Sequence, residues 1–323
     1  MFFPILIASF MISTWLFSIS IPSYAEEEYP LSISDIHIRD PFIYPHQETK
    51  TYYLYASTQN RLGESGTGLG VEVYRSQDLQ HWSNPVLVFR KEKDFWGGNE
   101  IWAPEMHRVD DWFYLFVTFN GREGGRGTQI LRAKDPEGPF LPVSNEANTP
   151  PEQCCLDGTP WVDETGQHWL VYCHEWIQIQ DGTMRVIPMQ KDFSQRTGES
   201  ILLFHASDAP WVKALSGRPG NYVTDGPCLY RTQAGKLLML WSSFTGDGST
   251  YAIGIAESES GQITGPWKHH EKPLFNQDGG HCTLFRTFAG QLTLVLHQPN
   301  GGNQERAHFF PIVEENGELK LTQ

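Results

Sequence analysis

The chain repeats itself five times, and that repeat limits the folds open to it more than any other feature. The segments open with Arg39-Asp40-Pro41-Phe42-Ile43, Trp102-Ala103-Pro104-Glu105-Met106, Leu156-Asp157-Gly158-Thr159-Pro160, Thr224-Asp225-Gly226-Pro227-Cys228 and Gly279-Gly280-His281-Cys282-Thr283. Each runs into a short apolar stretch, a turn and a second apolar stretch, such as Tyr52-Tyr53-Leu54-Tyr55 or Leu292-Thr293-Leu294-Val295-Leu296. Apolar runs of this length, bounded by Gly and Pro, read as strands. In units three to five the turn ends in Gly166, Gly235 or Gly290, where a tight hairpin needs positive φ. Back halves recur as well. Val71-Glu72-Val73-Tyr74, Thr128-Gln129-Ile130-Leu131 and Tyr251-Ala252-Ile253-Gly254 read as third strands, followed by outer strands opened by Trp82, Phe140 and Trp267. Four strands per unit and five units of about 50 to 70 residues describe an all-β, five-bladed β-propeller. No long amphipathic helix supports a parallel α/β alternative.

The 323 residues suffice for one large domain. Eleven Trp, twelve Tyr and nineteen Phe suit either an aromatic β core or a carbohydrate-facing surface. A net charge of −14, with no basic run, argues against a nucleic-acid partner. Residues 2–21 are nearly all apolar or small, and Ser23-Tyr24-Ala25 precedes Glu26-Glu27-Glu28. Residues 1–25 therefore read as a signal peptide, although no Lys or Arg precedes the apolar stretch, and a retained anchor is the alternative. This leaves residues 26–323 as one propeller domain, secreted or periplasmic, with no membrane contact after cleavage. The five cysteines Cys154, Cys155, Cys173, Cys228 and Cys282 lack metal-ligand spacing. They read as mostly buried thiols with room for one bridge. Oligomeric state is not legible.

In a propeller the first strand of each blade lines the central channel, so the residues that open these strands converge. Here they are Asp40, Glu105 or its neighbours, Asp157, Asp225 and His281. Singly, an Asp before Pro or Gly is a turn opener. A ring of carboxylates at equivalent positions raises the pKa values of its members, a cost tolerated for acid/base work. Glycoside hydrolysis needs one protonated carboxylic acid and one ionised carboxylate across the scissile bond. Glu105, Glu175, Trp176, Trp102 and His281 are the candidates for substrate contact, the two tryptophans offering either flat stacking faces or core packing. Trp211, in loop 206–221, either reaches a sugar or packs beneath it. Rim loops 60–70 and 120–127 bound the pocket.

Taken together, these motifs resemble glycoside hydrolase family 43, whose members are inverting five-bladed propellers, over nearly all of the chain after residue 25. The resemblance implies that Asp40 in Arg39-Asp40-Pro41 is the general base. It implies that Asp157 in Leu156-Asp157-Gly158-Thr159-Pro160 orients the acid and adjusts its pKa, and that Trp102-Ala103-Pro104-Glu105 is the second-blade motif. His281 matches an axial histidine that in some members helps hold calcium, yet one His does not define a calcium site. One departure matters. The family's acid is a Glu before Gly-Pro, whereas here Asp225 stands there, shorter by one methylene. Either Asp225 is the acid, or Glu175 or Glu105 has taken the role, or the propeller binds glycans without efficient cleavage. The expected substrate is an arabinose-, xylose- or galactose-containing polysaccharide or oligosaccharide. Sugar, linkage and exo or endo action stay open.

Overall fold

A computed structural model describes residue 1 and residues 28–63, 69–122 and 125–322. The expected signal peptide, and parts of loops 60–70 and 120–127, lie outside the described residues. The described chain forms five four-stranded antiparallel sheets in succession. Blade one is Phe42–His46, Thr51–Ser57, Gly70–Ser76 and Val86–Arg90. Blade two is Ile101–Val109, Trp112–Arg122, Gly125–Ala133 and Leu141–Pro142. Blade three is Cys155–Val162, His168–His174, Thr183–Met189 and Ile201–His205. Blade four is Asp225–Arg231, Leu237–Thr245, Thr250–Ser258 and Trp267–His269. Blade five is Gly280–Arg286, Leu292–Gln298, Arg306–Glu315 and Glu318–Leu321. The only α-helical stretches longer than one residue among the described residues are the single turns Gln59–Leu62 and Trp176–Ile179. No helix there is long and apolar enough to cross a membrane.

The hairpin glycines behave as the repeat requires, with φ of 82° at Gly166, 85° at Gly235 and 87° at Gly290. The outer-strand reading holds for Trp267 and fails for Trp82. His81–Trp82 pairs with Leu31–Ser32 as a separate ribbon, and Val86–Arg90 is the true outer strand of blade one. The indole of Trp82 is fully buried and donates to Leu79 O, so packing of the chain's leading segment claims that aromatic.

Strands buried on both faces carry continuous apolar runs, and neighbouring blades share cores. Blades one and two pack through Tyr55, Val73, Met106, Leu115 and Phe119. Blades three and four pack through Val171, Val186, Met239 and Trp241. The ring closes where blade five meets blade one. Tyr52 stacks on Phe288 at 4.1 Å, its hydroxyl accepts the Phe288 N–H at 2.9 Å, and Thr283 donates to Pro41 O at 3.2 Å. All five cysteines are free thiols, so no bridge forms; four are buried and Cys228 is half-buried. Trp211 packs beneath, at 5.1 Å from the Trp241 ring, and takes no part in the cleft.

Candidate active site

Each blade enters its first strand through the same distortion. In blades two to five the pairing with the second strand skips two residues, between Trp102 and Glu105, Leu156 and Thr159, Asp225 and Cys228, and Gly280 and Thr283. The first skipped residue has positive φ in every case: Ala103 45°, Asp157 55°, Gly226 55° and His281 37°. Asp40, at 53°, is its counterpart in blade one. Such bulges re-aim side chains.

This phase sorts the blade openers into three layers instead of one ring. Asp40, Asp157 and His281 occupy the bulge itself. Asp225 sits one residue earlier, level with Arg39, Trp102 and Leu156. Glu105 sits two residues later, level with Phe42, Thr159, Cys228 and Thr283. The upper two layers line a cleft of about 410 Å³, walled further by Glu175, Trp176, Leu215, Val223, Phe244 and Tyr251. The lower layer lines a separate channel of about 400 Å³ beneath. Glu105 is therefore not a cleft residue, contrary to its reading as a substrate contact or substitute acid. It is buried with Oε2 3.0 Å from His107 Nε2 and Oε1 3.6 Å from His281 Nε2.

His281 is the hub. Its Nδ1 lies 3.6 Å from Asp40 Oδ1 and 3.5 Å from Asp157 Oδ2, so both ring nitrogens face carboxylates. Burial opposes the imidazolium, but the charges of Asp157 and Asp40 and the contact with Glu105 raise its pKa to about 10. Burial opposes ionisation of Asp40 too, yet the charges of His281 and Arg39 hold it well below the usual carboxylate range. Asp157 goes the other way. Burial, and the charges of Asp225 and Asp40, lift it to about 8 against the pull of His281. Burial lifts Asp225 to about 6, although Tyr251 donates to its Oδ2 at 2.8 Å.

The remaining cleft residues make two walls. Glu175 is buried and committed to Arg126, whose Nη1 lies 3.1 and 2.8 Å from its two oxygens, and Cys154 donates to the same carboxylate at 3.2 Å. Glu175 thus lines the cleft but is poorly placed as a substitute proton donor. The Arg126 guanidinium also covers one face of Trp102 at 4.0 Å, and Arg218 lies 5.2 Å over Trp176. Both tryptophans keep a place in the cleft wall.

A family model, glycosyl hydrolases family 43, matches residues 30–311. The chain belongs to that family. An endo-arabinase of Bacteroides thetaiotaomicron is 38% identical, with a TM-score of 0.83 over 90% of this chain and 100% of the other. A structure titled endo-1,4-beta-xylanase from the same organism shares the fold, at 22% identity and a TM-score of 0.71 over 89% of this chain and 95% of the other. Alpha-L-arabinofuranosidase 43 of Humicola insolens is 24% identical over 81% of this chain; the chain spans 54% of that relative's length.

Within this family 43 fold, the structure brings Asp40, Asp157, Asp225, His281, Trp102, Glu175 and Trp176 together and leaves Glu105 below. Sequence reasoning missed Arg39, Tyr251, Phe244 and His297. Arg39 adjoins Asp40 in a recognised motif. His297 was findable from register, since it pairs with Gly280 as Thr118 pairs with Trp102 and Ser242 with Asp225. Tyr251 opens a third strand and carries no local signal.

Glycine at 226 is required by geometry. A Cβ there would meet the His281 ring at 2.7 Å, while Gly235 has open space around it. Gly226→Ala is expected to destabilise by roughly 2 kcal/mol or more and to displace His281, against about 1 kcal/mol for Gly235→Ala. Denaturant unfolding of the two variants side by side checks this.

Proposed function

We propose that this chain hydrolyses glycosidic bonds in arabinose- or xylose-containing polysaccharide with inversion, after export by cleavage behind Ala25. The observation that carries the reading is the opposite displacement of two carboxyls on one cleft: Asp40 is held ionised and Asp225 is pushed up to about 6. Such a pair is what acid/base glycoside hydrolysis uses. Asp40 takes a proton from the water that attacks the anomeric carbon, and Asp225 gives a proton to the departing oxygen. Asp157 acts through position: its Oδ2 accepts the Gly226 N–H at 2.9 Å and so anchors the peptide that carries Asp225. The relative titled endo-arabinase supports arabinan as the first polymer to test.

Calcium is a separate matter. Both nitrogens of His281 are turned to carboxylates, which suits an imidazolium, a form with no lone pair for a cation. In this reading His281 is not a metal ligand, and the protonated ring itself supplies the positive charge at the axis. Among the described residues, Glu257, His270 and Glu318 form a separate cluster, and its two glutamates are already bridged by Lys236 Nζ at 3.0 and 2.9 Å.

Asp40→Asn is expected to lower kcat/KM on the true substrate by roughly 10²–10⁴-fold. The wild type should release the inverted anomer, as proton NMR of the first product reads. Its activity should fall as pH rises past about 6, because Asp225 must be protonated to act. Retained activity in Asp40→Asn, or release of the retained anomer, overturns the reading. Exhaustive dialysis against a chelator is expected to leave kcat/KM unchanged; a loss restored by calcium contradicts the imidazolium reading.

A further inference from the structure

We propose that Tyr251 is a positioning residue that fits a short aspartic acid to the place of the proton donor, by anchoring one carboxyl oxygen so that the other faces the cleft. This rests on the reading of Asp225 as the acid. The hydroxyl of Tyr251 donates to Asp225 Oδ2 at 2.8 Å, and among the described residues no other side-chain hydrogen bond to Asp225 is found. A carboxyl one methylene shorter than Glu has one fewer torsion with which to search for the leaving-group oxygen. What fixes that remaining rotation fixes the reach.

Tyr251 is built to do so. Its ring is 1% exposed and cannot swing. Phe244 lies against it at 5.1 Å, His297 stacks on it at 5.9 Å, and Gly280 presses so close that a Cβ there would meet Cε1 at 2.5 Å. Through His297 the same ring borders the opposite carboxyl, for His297 Nδ1 lies 3.3 Å from Asp40 Oδ1 and accepts the Asp40 N–H at 3.2 Å. Base and acid are thus referenced to one aromatic stack, Phe244 and Tyr251 of blade four and His297 of blade five. A mispositioning of 1 Å can cost about 10²-fold in rate, so the anchor is worth a measurable share of catalysis.

The hydroxyl also favours the ionised form of Asp225, because it donates to the carboxylate. Other groups act on the same carboxyl: His281 from blade five, Arg39 from blade one, and Glu175 and Asp157 from blade three. Tyr251→Phe leaves all of these and removes only the hydroxyl. The folded pKa of Asp225 then rises, the protonated acid persists to higher pH, and the alkaline limb of activity moves up.

The test compares wild type, Tyr251→Phe and Asp225→Ala on two substrates of the same sugar, an unactivated oligosaccharide and a dinitrophenyl glycoside whose leaving group needs no proton. Tyr251→Phe is expected to lose roughly 10²-fold in kcat on the oligosaccharide and far less on the aryl glycoside. Its alkaline limb on the oligosaccharide should shift upward. Equal losses on both substrates with an unmoved limb, whether or not the melting temperature falls, overturn the positioning role. Asp225→Ala separates the two claims. If it loses activity equally on both substrates, Asp225 is not the acid and the underlying reading fails; if it shows the leaving-group dependence and Tyr251→Phe does not, only the inference fails.

Discussion

A backbone N–H that leaves its own β-ladder in a buried channel must find another acceptor, and in this propeller it finds one in the neighbouring blade. At the heads of blades one, three, four and five that group is paired outside its own ladder. Asp40 N–H goes to His297 of blade five, Asp157 N–H to Thr118 of blade two at 2.9 Å, and His281 N–H to Ser242 of blade four at 3.0 Å. Thr118, Ser242 and His297 stand at one register position on three second strands. Blade three has Cys173 there, whose thiol is a weak acceptor, and the Gly226 N–H goes to the Asp157 carboxylate instead. The blades are stitched at the same atoms that aim the reactive side chains. Positive φ at non-glycine residues costs on the order of 1–3 kcal/mol each, and these inter-blade bonds are what hold it in place.

From that stitching follows the electrostatic order of the site. His281 lies in the cleft floor with Asp40 and Asp157 on one ring nitrogen and Glu105 on the other. One buried cation among three carboxyls cannot satisfy all of them as anions. Asp40, which also has Arg39 at 3.7 Å, is held low; Asp157, whose neighbours include two other carboxyls, is pushed up. Asp225 stands one layer up, farther from the hub and tied to Tyr251, and its displacement is smaller. The partners each carboxyl meets around the bulge, rather than its place in the bulge, thus set the direction of its displacement, and that direction bears on what it can do in a reaction.

The propeller, its five blades and the site carboxyls Asp40, Asp157 and Asp225 were legible because an in-phase repeat places equivalent residues at one mouth of one channel. The same logic erred on Glu105. In its four-residue motif it shares a strand with Trp102, which faces the cleft, but two positions along from the bulge it lines the lower channel. Trp82 misled in a similar way, since an aromatic after a turn marks an outer strand in one blade and a ribbon with the leading segment in another.

The sequence by itself determined the architecture and which carboxyls share the axis, because both follow from periodicity and periodicity is written locally. Only the tertiary structure decided which layer each carboxyl occupies and whether it holds a proton. Those depend on a bulge register shift of one residue and on partners from other strands: His297, which shows only once the strands are in register, and Tyr251, which leaves no local mark. The opening ring of acids became three layers around a buried imidazolium for that reason.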